Sequence, residues 1–124
     1  MRCPCGSGET YDACCAPRHN RSVPAPTAET LMRSRFTAFA RGDVDYLLAT
    51  WHPSTRPRSL DLDPDRRWTR LDIVDTLDGG PFDETGEVEF RAHYRDDATR
   101  GAQHERSRFA KQRGRWYYLD ALPR

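Results

Sequence analysis

The segment Glu87-Val-Glu-Phe-Arg-Ala-His-Tyr-Arg95 alternates without a break. Val88, Phe90, Ala92 and Tyr94 fall on one side, and Glu89, Arg91, His93 and Arg95 on the other. A period of two with one apolar and one charged face marks a strand that covers a core and meets water on its back. Downstream, Ala102 to Lys111 and Arg115 to Ala121 read as a hairpin about Arg113-Gly114, with Phe109, Trp116, Tyr117, Tyr118 and Leu119 as its apolar content. Upstream, a strand from Thr69 puts Leu71, Ile73 and Leu77 on one face with Val74 out of step, and Gly79-Gly80-Pro81 ends it.

Before Thr69 the apolar period becomes helical. Thr27 is placed to cap a helix whose stripe is Ala28, Leu31, Met32, Phe36 and Phe39, and Gly42 stops it. Asp43 caps a second helix, whose Val44, Leu47, Leu48 and Trp51 keep the stripe until Pro53 ends it just after His52. Ser54 to Asp63 is polar loop, and Asp63-Pro64 is suited to open a short helical turn. Ala16 to Pro26, with Pro17, Pro24 and Pro26, reads as an extended connector. Two or three helices gathered on one face of a four-stranded, mostly antiparallel sheet make an α+β domain.

All four cysteines precede this domain, as Cys3-x-Cys5 and the adjacent pair Cys14-Cys15. Four thiolates in so short a loop match the tetrahedral sulfur set of a structural Zn2+ site, and Gly6 and Gly8 permit the reversal that brings the pairs together. Two disulfides or an iron–sulfur cluster are the competing readings. No apolar leader precedes Cys3, so a cytoplasmic setting with reduced thiols is expected. The spacing is unlike the usual ferredoxin runs. His19 is placed beside the ligands rather than among them.

The run Cys3-Pro-Cys-Gly-Ser-Gly8 followed by Tyr11 and Cys14-Cys15 closely resembles the SEC-C motif, the zinc knuckle at the C-terminus of the SecA translocation ATPase. The SecA motif binds the chaperone SecB, so the resemblance implies a protein-binding element. Leu31-Met-Arg-Ser-Arg-Phe36, Asp45-Tyr-Leu-Leu48 and Thr50-Trp-His-Pro53 resemble the YchJ family of small bacterial proteins. So do Glu89-Phe-Arg-Ala92, His104-Glu-Arg-Ser107 and Gly114-Arg-Trp-Tyr-Tyr118. That family's main domain is similar to the nuclear transport factor 2 (NTF2) superfamily, in which a curved sheet and helices enclose a cone-shaped cavity. The organisation implied is a knuckle over 1–19, a linker over 20–26 and an NTF2-like domain over 27–124.

Composition narrows the function. With 124 residues, 31% of them charged, a formal net charge of +1 leaves little electrostatic pull toward nucleic acid. No apolar run approaches the roughly 20 residues of a membrane span. Nucleic-acid binding would rest on Arg66, Arg67 and Arg70, or on Arg91, Arg95, Arg106 and Arg108, but the second set is interleaved with Glu87, Glu89 and His93, as on a solvated sheet face. That charged face also predicts a monomer or weak dimer.

The leading expectation is a non-enzymatic zinc-binding protein or adaptor whose knuckle meets another protein. The alternative is a small-molecule-binding protein or enzyme that uses the cone cavity. Its candidate lining is Trp51, Tyr94, Ser107, Trp116 and Tyr118, with Glu105 and His52 as candidate catalytic groups, although no acid, base or nucleophile is set by spacing. With Phe109 inward, period two turns Ser107 and Glu105 inward and sends His104, Arg106 and Arg108 outward. Tyr94, Tyr118 or an arginine is then expected to meet Glu105, and a β-bulge between Gln103 and Ser107 would reverse the parity.

Overall fold

The computed structural model describes residues 2–97 and 99–123, so the domain limits read at Met1 and Arg124 lie outside the described residues. Three helices precede four strands: α1 (Ala16–His19), α2 (Ala28–Arg41), α3 (Val44–Ala49), β1 (Arg66–Asp78), β2 (Thr85–Asp96), β3 (Thr99–Gln112) and β4 (Arg115–Ala121). The strands form one antiparallel meander in the order β1-β2-β3-β4. The chain is therefore α+β, with an N-terminal cysteine cluster joined to a helix-on-sheet domain.

Helix α2 forms where the apolar stripe and both caps agree. The Thr27 hydroxyl accepts from the Thr30 amide at 3.0 Å, and Gly42 closes the helix in the left-handed region. Its inner face packs Ala28, Leu31, Met32 and Phe36 against Leu71 of β1, Val88, Phe90 and Ala92 of β2, Phe109 of β3 and Trp116 of β4. Each large side chain so buried stabilises the fold by roughly 1.5–3 kcal/mol.

Four details depart from the sequence reading. The connector begins as helix α1, because Pro17 sits in its first turn and the Cys15 carbonyl accepts from the Arg18 and His19 amides. Helix α3 ends at Ala49, short of Trp51. The backbone of 50–52 leaves it to pair with β4, the Tyr118 amide donating to the Thr50 carbonyl at 2.8 Å and the His52 amide to the Tyr118 carbonyl at 2.7 Å. Asp63-Pro64 opens only a turn, with Asp63 Oδ1 taking the Asp65 amide, and β1 already begins at Arg66. Finally, a register shift between Ile73 and Asp75 turns Leu77 outward, where it is half exposed. An extra residue on one strand reverses the parity that follows it.

Between β2 and β3 the register runs unbroken, with Glu105 opposite Phe90 and Ser107 opposite Val88. The outer face carries ion pairs of Arg106 with Glu87, Glu89 and Asp75, and hydrogen bonds of His104 with Glu89 and His93 with Asp72.

Where β2 leaves the Gly79–Gly80 turn, backbones touch. A Cβ on Gly86 would lie 2.5 Å from Gly79 Cα and 2.8 Å from its nitrogen. Gly86→Ala should therefore destabilise the protein by about 1–3 kcal/mol, by forcing apart a strand end that also anchors α2. Urea denaturation checks this; an unchanged midpoint would show that the turn gives way freely.

Candidate functional site

The four sulfurs converge because the first seventeen residues fold back on themselves. The Cys3 amide donates to the Glu9 carbonyl at 2.8 Å, with Gly6 and Gly8 both at positive φ inside the loop. The Cys14 and Ala16 amides then donate to the Tyr11 carbonyl, which turns the second pair toward the first. The four Sγ atoms lie within 4.8 Å of one another, with Cys5 to Cys14 at 3.6 Å and Cys14 to Cys15 at 3.9 Å. A tetrahedral ion with metal–sulfur bonds of about 2.3 Å requires sulfurs about 3.8 Å apart, so the cluster is already near that geometry. All four are free thiols, and Cys3, Cys5 and Cys15 are buried. This SEC-C-type cluster is therefore suited to hold a metal ion.

Within the cluster the protons are unevenly held. A hydrogen bond from the Cys15 thiol brings Cys5 down to about 4, while the same bond, with burial, pushes Cys15 up. Burial also raises Cys14. The chain thus offers a thiolate to an incoming cation, and binding must displace the remaining protons.

The knuckle is packed against α2. Thr37, fully buried, has its hydroxyl 3.5 Å from Cys3 Sγ and 3.4 Å from Cys15 Sγ. Arg33 Nη1 donates to the Cys5 carbonyl at 2.8 Å, and the Arg41 guanidinium stands 4.0 Å from the Tyr11 ring centre. His19 joins the two parts: Nε2–H donates to the Ser34 carbonyl at 2.8 Å, which leaves Nδ1 to accept from the Tyr11 hydroxyl at 2.9 Å. Both ring nitrogens are thereby used, and neither is a metal donor.

A second feature is a cavity of about 250 Å3 between α2 and the inner face of the sheet. Trp51, Glu105, Ser107 and Tyr118 line it. Tyr94, Trp116 and His52 do not. Tyr94 lies across Gly101, edge-on to Trp68 and beneath the Arg66 guanidinium at 3.8 Å, toward the far end of the sheet. Trp116 is sealed in the core, its Nε1–H donating to the Pro26 carbonyl. His52 turns its Nδ1 to Ser54 and organises the loop after α3. Glu105 makes no hydrogen bond or ion pair with a tyrosine or an arginine among the described residues, although its charge, after burial, helps to raise the pKa of Tyr118. Its hydrogen-bond partner is Gln103, Nε2 to Oε1 at 2.6 Å.

Sequence reasoning missed Arg35. It lines the cavity, is 3% exposed, and sits three residues after Met32 and four after Leu31 on the buried stripe of α2. An arginine in register with an apolar stripe was the available signal. Burial lowers its pKa to about 10, which leaves it cationic at neutral pH.

Burial also holds His19 below its ordinary value of 6.5. Below about 6.5 the unfolded chain takes up a proton that the folded chain refuses, so this group's contribution to stability should fall as the pH drops through that range. An NMR titration of the imidazole checks it. A midpoint at or above 6.5 would mean that His19 is not held neutral between Tyr11 and Ser34.

Comparison with known proteins agrees with this architecture. Residues 27–121 match the model of the YchJ middle NTF2-like domain, and residues 2–17 match the SEC-C motif. A UPF0225 protein of Streptomyces coelicolor is 57% identical over 118 residues, spanning 95% of this chain and 92% of its own length. One of Xanthomonas oryzae is 52% identical over 124 residues, spanning 96% and 92%. The solution structure of a SEC-C motif containing protein from Rhodopseudomonas palustris superposes with a TM-score of 0.87 at 37% identity, covering 100% of this chain and 99% of that one. A crystal structure of such a protein from Psychrobacter arcticus gives 0.79 at 28% identity, covering 95% and 80%. Cysteine cluster, helix-on-sheet core and sequence thus point one way: the chain belongs to the YchJ family of UPF0225 proteins, with an N-terminal SEC-C motif and an NTF2-like domain.

Proposed function

We propose that this protein is a cytoplasmic, non-enzymatic zinc-binding adaptor. In this reading Cys3, Cys5, Cys14 and Cys15 hold one Zn2+, and the metal sets a knuckle whose outer loop contacts another protein. The observation that carries it is the convergence of four thiol sulfurs within 4.8 Å, three of the cysteines being buried. An all-thiol donor set is soft and favours zinc over hard cations. Thr37 would donate its hydroxyl hydrogen to a ligand sulfur and so orient the set from α2. Gly6 to Thr10 are all exposed. The Ser7 hydroxyl is engaged with Cys14 Sγ at 3.1 Å and Thr10 Oγ1 with the Ala13 amide, so the Glu9 carboxylate is the side chain of this loop best placed to meet a partner. No helix among the described residues is long and apolar enough to cross a membrane, consistent with the cytoplasmic assignment.

A non-catalytic role is supported by the separation of the two candidate catalytic groups, since His52 serves the loop after α3 while Glu105 sits in the cavity bonded to Gln103. A monomer or weak dimer is supported by the cross-strand ion pairs on the outer sheet face, a poor surface for an obligate interface. Light scattering should give a monomer mass at high dilution.

Reduced protein should contain one zinc per chain by metal analysis. Acidification should release it, because protons compete for thiolate sulfur, and chelation should unfold the knuckle and lower the melting temperature of the whole domain through the lost Thr37, Arg33 and Arg41 contacts. Absence of zinc from freshly purified, reduced protein would end the reading. Thr37→Val should weaken metal affinity by about tenfold or more in a competition titration, as loss of a hydrogen bond to a ligand does.

The adaptor part is tested by affinity capture with intact protein, with Cys14→Ser, and with Glu9→Arg, which leaves in place the cysteines and the Ser7 hydroxyl that bonds Cys14. Partners lost from both variants while Glu9→Arg keeps its zinc support it. A capture profile unchanged by either variant would make the knuckle a staple of the fold and nothing more.

A further inference from the structure

The cavity under α2 has the make-up of a ligand site. Half of its lining residues are aromatic, with Phe36, Trp51, Trp68 and Phe90 among them, and its volume of about 250 Å3 suits a molecule built on a single ring. Two polar side chains are built deep into it: Arg35 is 3% exposed and Ser107 is 1% exposed.

Arg35 is held in place without being satisfied. Its Nη1 donates to the Leu47 carbonyl at 2.8 Å and to the Thr50 hydroxyl at 2.7 Å, and its guanidinium lies 4.7 Å from the Tyr118 ring centre and 5.3 Å from that of Trp51. These contacts fix the group and use one of its three nitrogens. Nε and Nη2 bond to no described residue, and none of the ion pairs among the described residues includes Arg35. Among the described residues the buried side-chain nitrogens and oxygens that lack a partner are Arg18 Nε and Trp51 Nε1, so Nε and Nη2 of Arg35 keep some accessible surface. The free edge of the guanidinium therefore opens into the cavity. The same reasoning applies to the Ser107 hydroxyl, which has no hydrogen-bond partner among the described residues. A buried cation without a counter-charge is costly, and the fork of Nε and Nη2 matches the two oxygens of a carboxylate.

We propose that this cavity binds small planar carboxylates, with Arg35 anchoring the carboxylate and the aromatic walls holding the ring. Glu105, half-buried beside the exposed Gln103 on the solvent side, faces the same space and makes no ion pair with Arg35. It repels a simple anion and favours one that carries a hydrogen-bond donor at the end remote from its carboxylate. The site lies on the opposite side of α2 from the Thr37 contact with the cysteines, so its occupancy does not depend on whether the knuckle binds zinc or a partner.

The test is an NMR titration of the full-length protein with benzoate and with its neutral counterpart benzamide. Benzoate should move the indole resonances of Trp51 and Trp68 in a saturable way and bind about tenfold or more tightly than benzamide, the advantage of a charge-assisted hydrogen bond. Arg35→Met should remove that advantage. Because Arg35 also ties α2 to α3, Glu105→Gln supplies a variant with no buried tie to lose, and it should bind benzoate several-fold more tightly than the unmodified protein. Equal binding of the two probes, no saturable shift below about 10 mM benzoate, or shifts confined to the knuckle would each overturn the proposal.

Discussion

From Leu31 to Ala38 every residue of α2 except Arg33 is buried, a condition that one flat contact cannot produce. A helix resting on a sheet buries one stripe and leaves its other face in water. Here the second face is closed by the cysteine knuckle. Leu31, Met32 and Phe36 face the sheet, while the Thr37 hydroxyl and the Ser34 carbonyl face Cys3, Cys15 and His19. Buried polar groups are tolerated only when bonded, and each of these has a partner from another element: Ser34 Oγ meets the Tyr46 hydroxyl at 2.7 Å, and Thr37 meets two sulfurs. The double enclosure of α2 is the constraint on which the rest depends.

Two consequences follow from it. The knuckle lacks the freedom of a module on a tether, since Arg33, Arg41 and His19 all bind it to the domain. An ion held by the four cysteines would thus be felt by the core through Thr37. The remaining face of α2, which carries Arg35 and Phe39, is neither covered by the knuckle nor filled by the sheet. Bulges in β1 and β4 interrupt the regular register, and strands that bend do not lie flush on a straight helix. The space left over is the cavity, and the chain has put an arginine there instead of a leucine.

The outer face of the sheet follows a different rule. Its charges are neutralised in pairs across neighbouring strands, among them Arg108 with Asp120 and Arg106 with Glu87. Exposed pairs of this kind contribute little to stability, with a typical magnitude of about 0–1 kcal/mol. What they do is keep a broad sheet surface wet and unattractive to a second sheet. The interaction surface proposed for the protein is therefore the small loop of the knuckle.

Sequence by itself determined the elements that rest on local periodicity and caps. The alternation of Val88, Phe90, Ala92 and Tyr94, the stripe from Ala28 to Phe39 between Thr27 and Gly42, and the grouping of Cys3, Cys5, Cys14 and Cys15 were all legible, because each signal lies within a few turns or strand steps of itself. The inward parity of Glu105 and Ser107 was legible for the same reason, as no bulge intervenes on that strand pair. Only the tertiary structure decided the rest. Leu77 lost its place in the core to a bulge whose position depends on β2, and α3 gave up its last turn to the backbone of Tyr118, some seventy residues away. Trp116 and Tyr94 read as cavity residues by type, but the Pro26 carbonyl and the gap left by Gly101 took them elsewhere. Arg35 is the plainest case. Its spacing shows only that it shares the buried face, and whether such an arginine is paired, tethered or left open is settled by which distant groups, here Leu47, Thr50 and Tyr118, arrive around it.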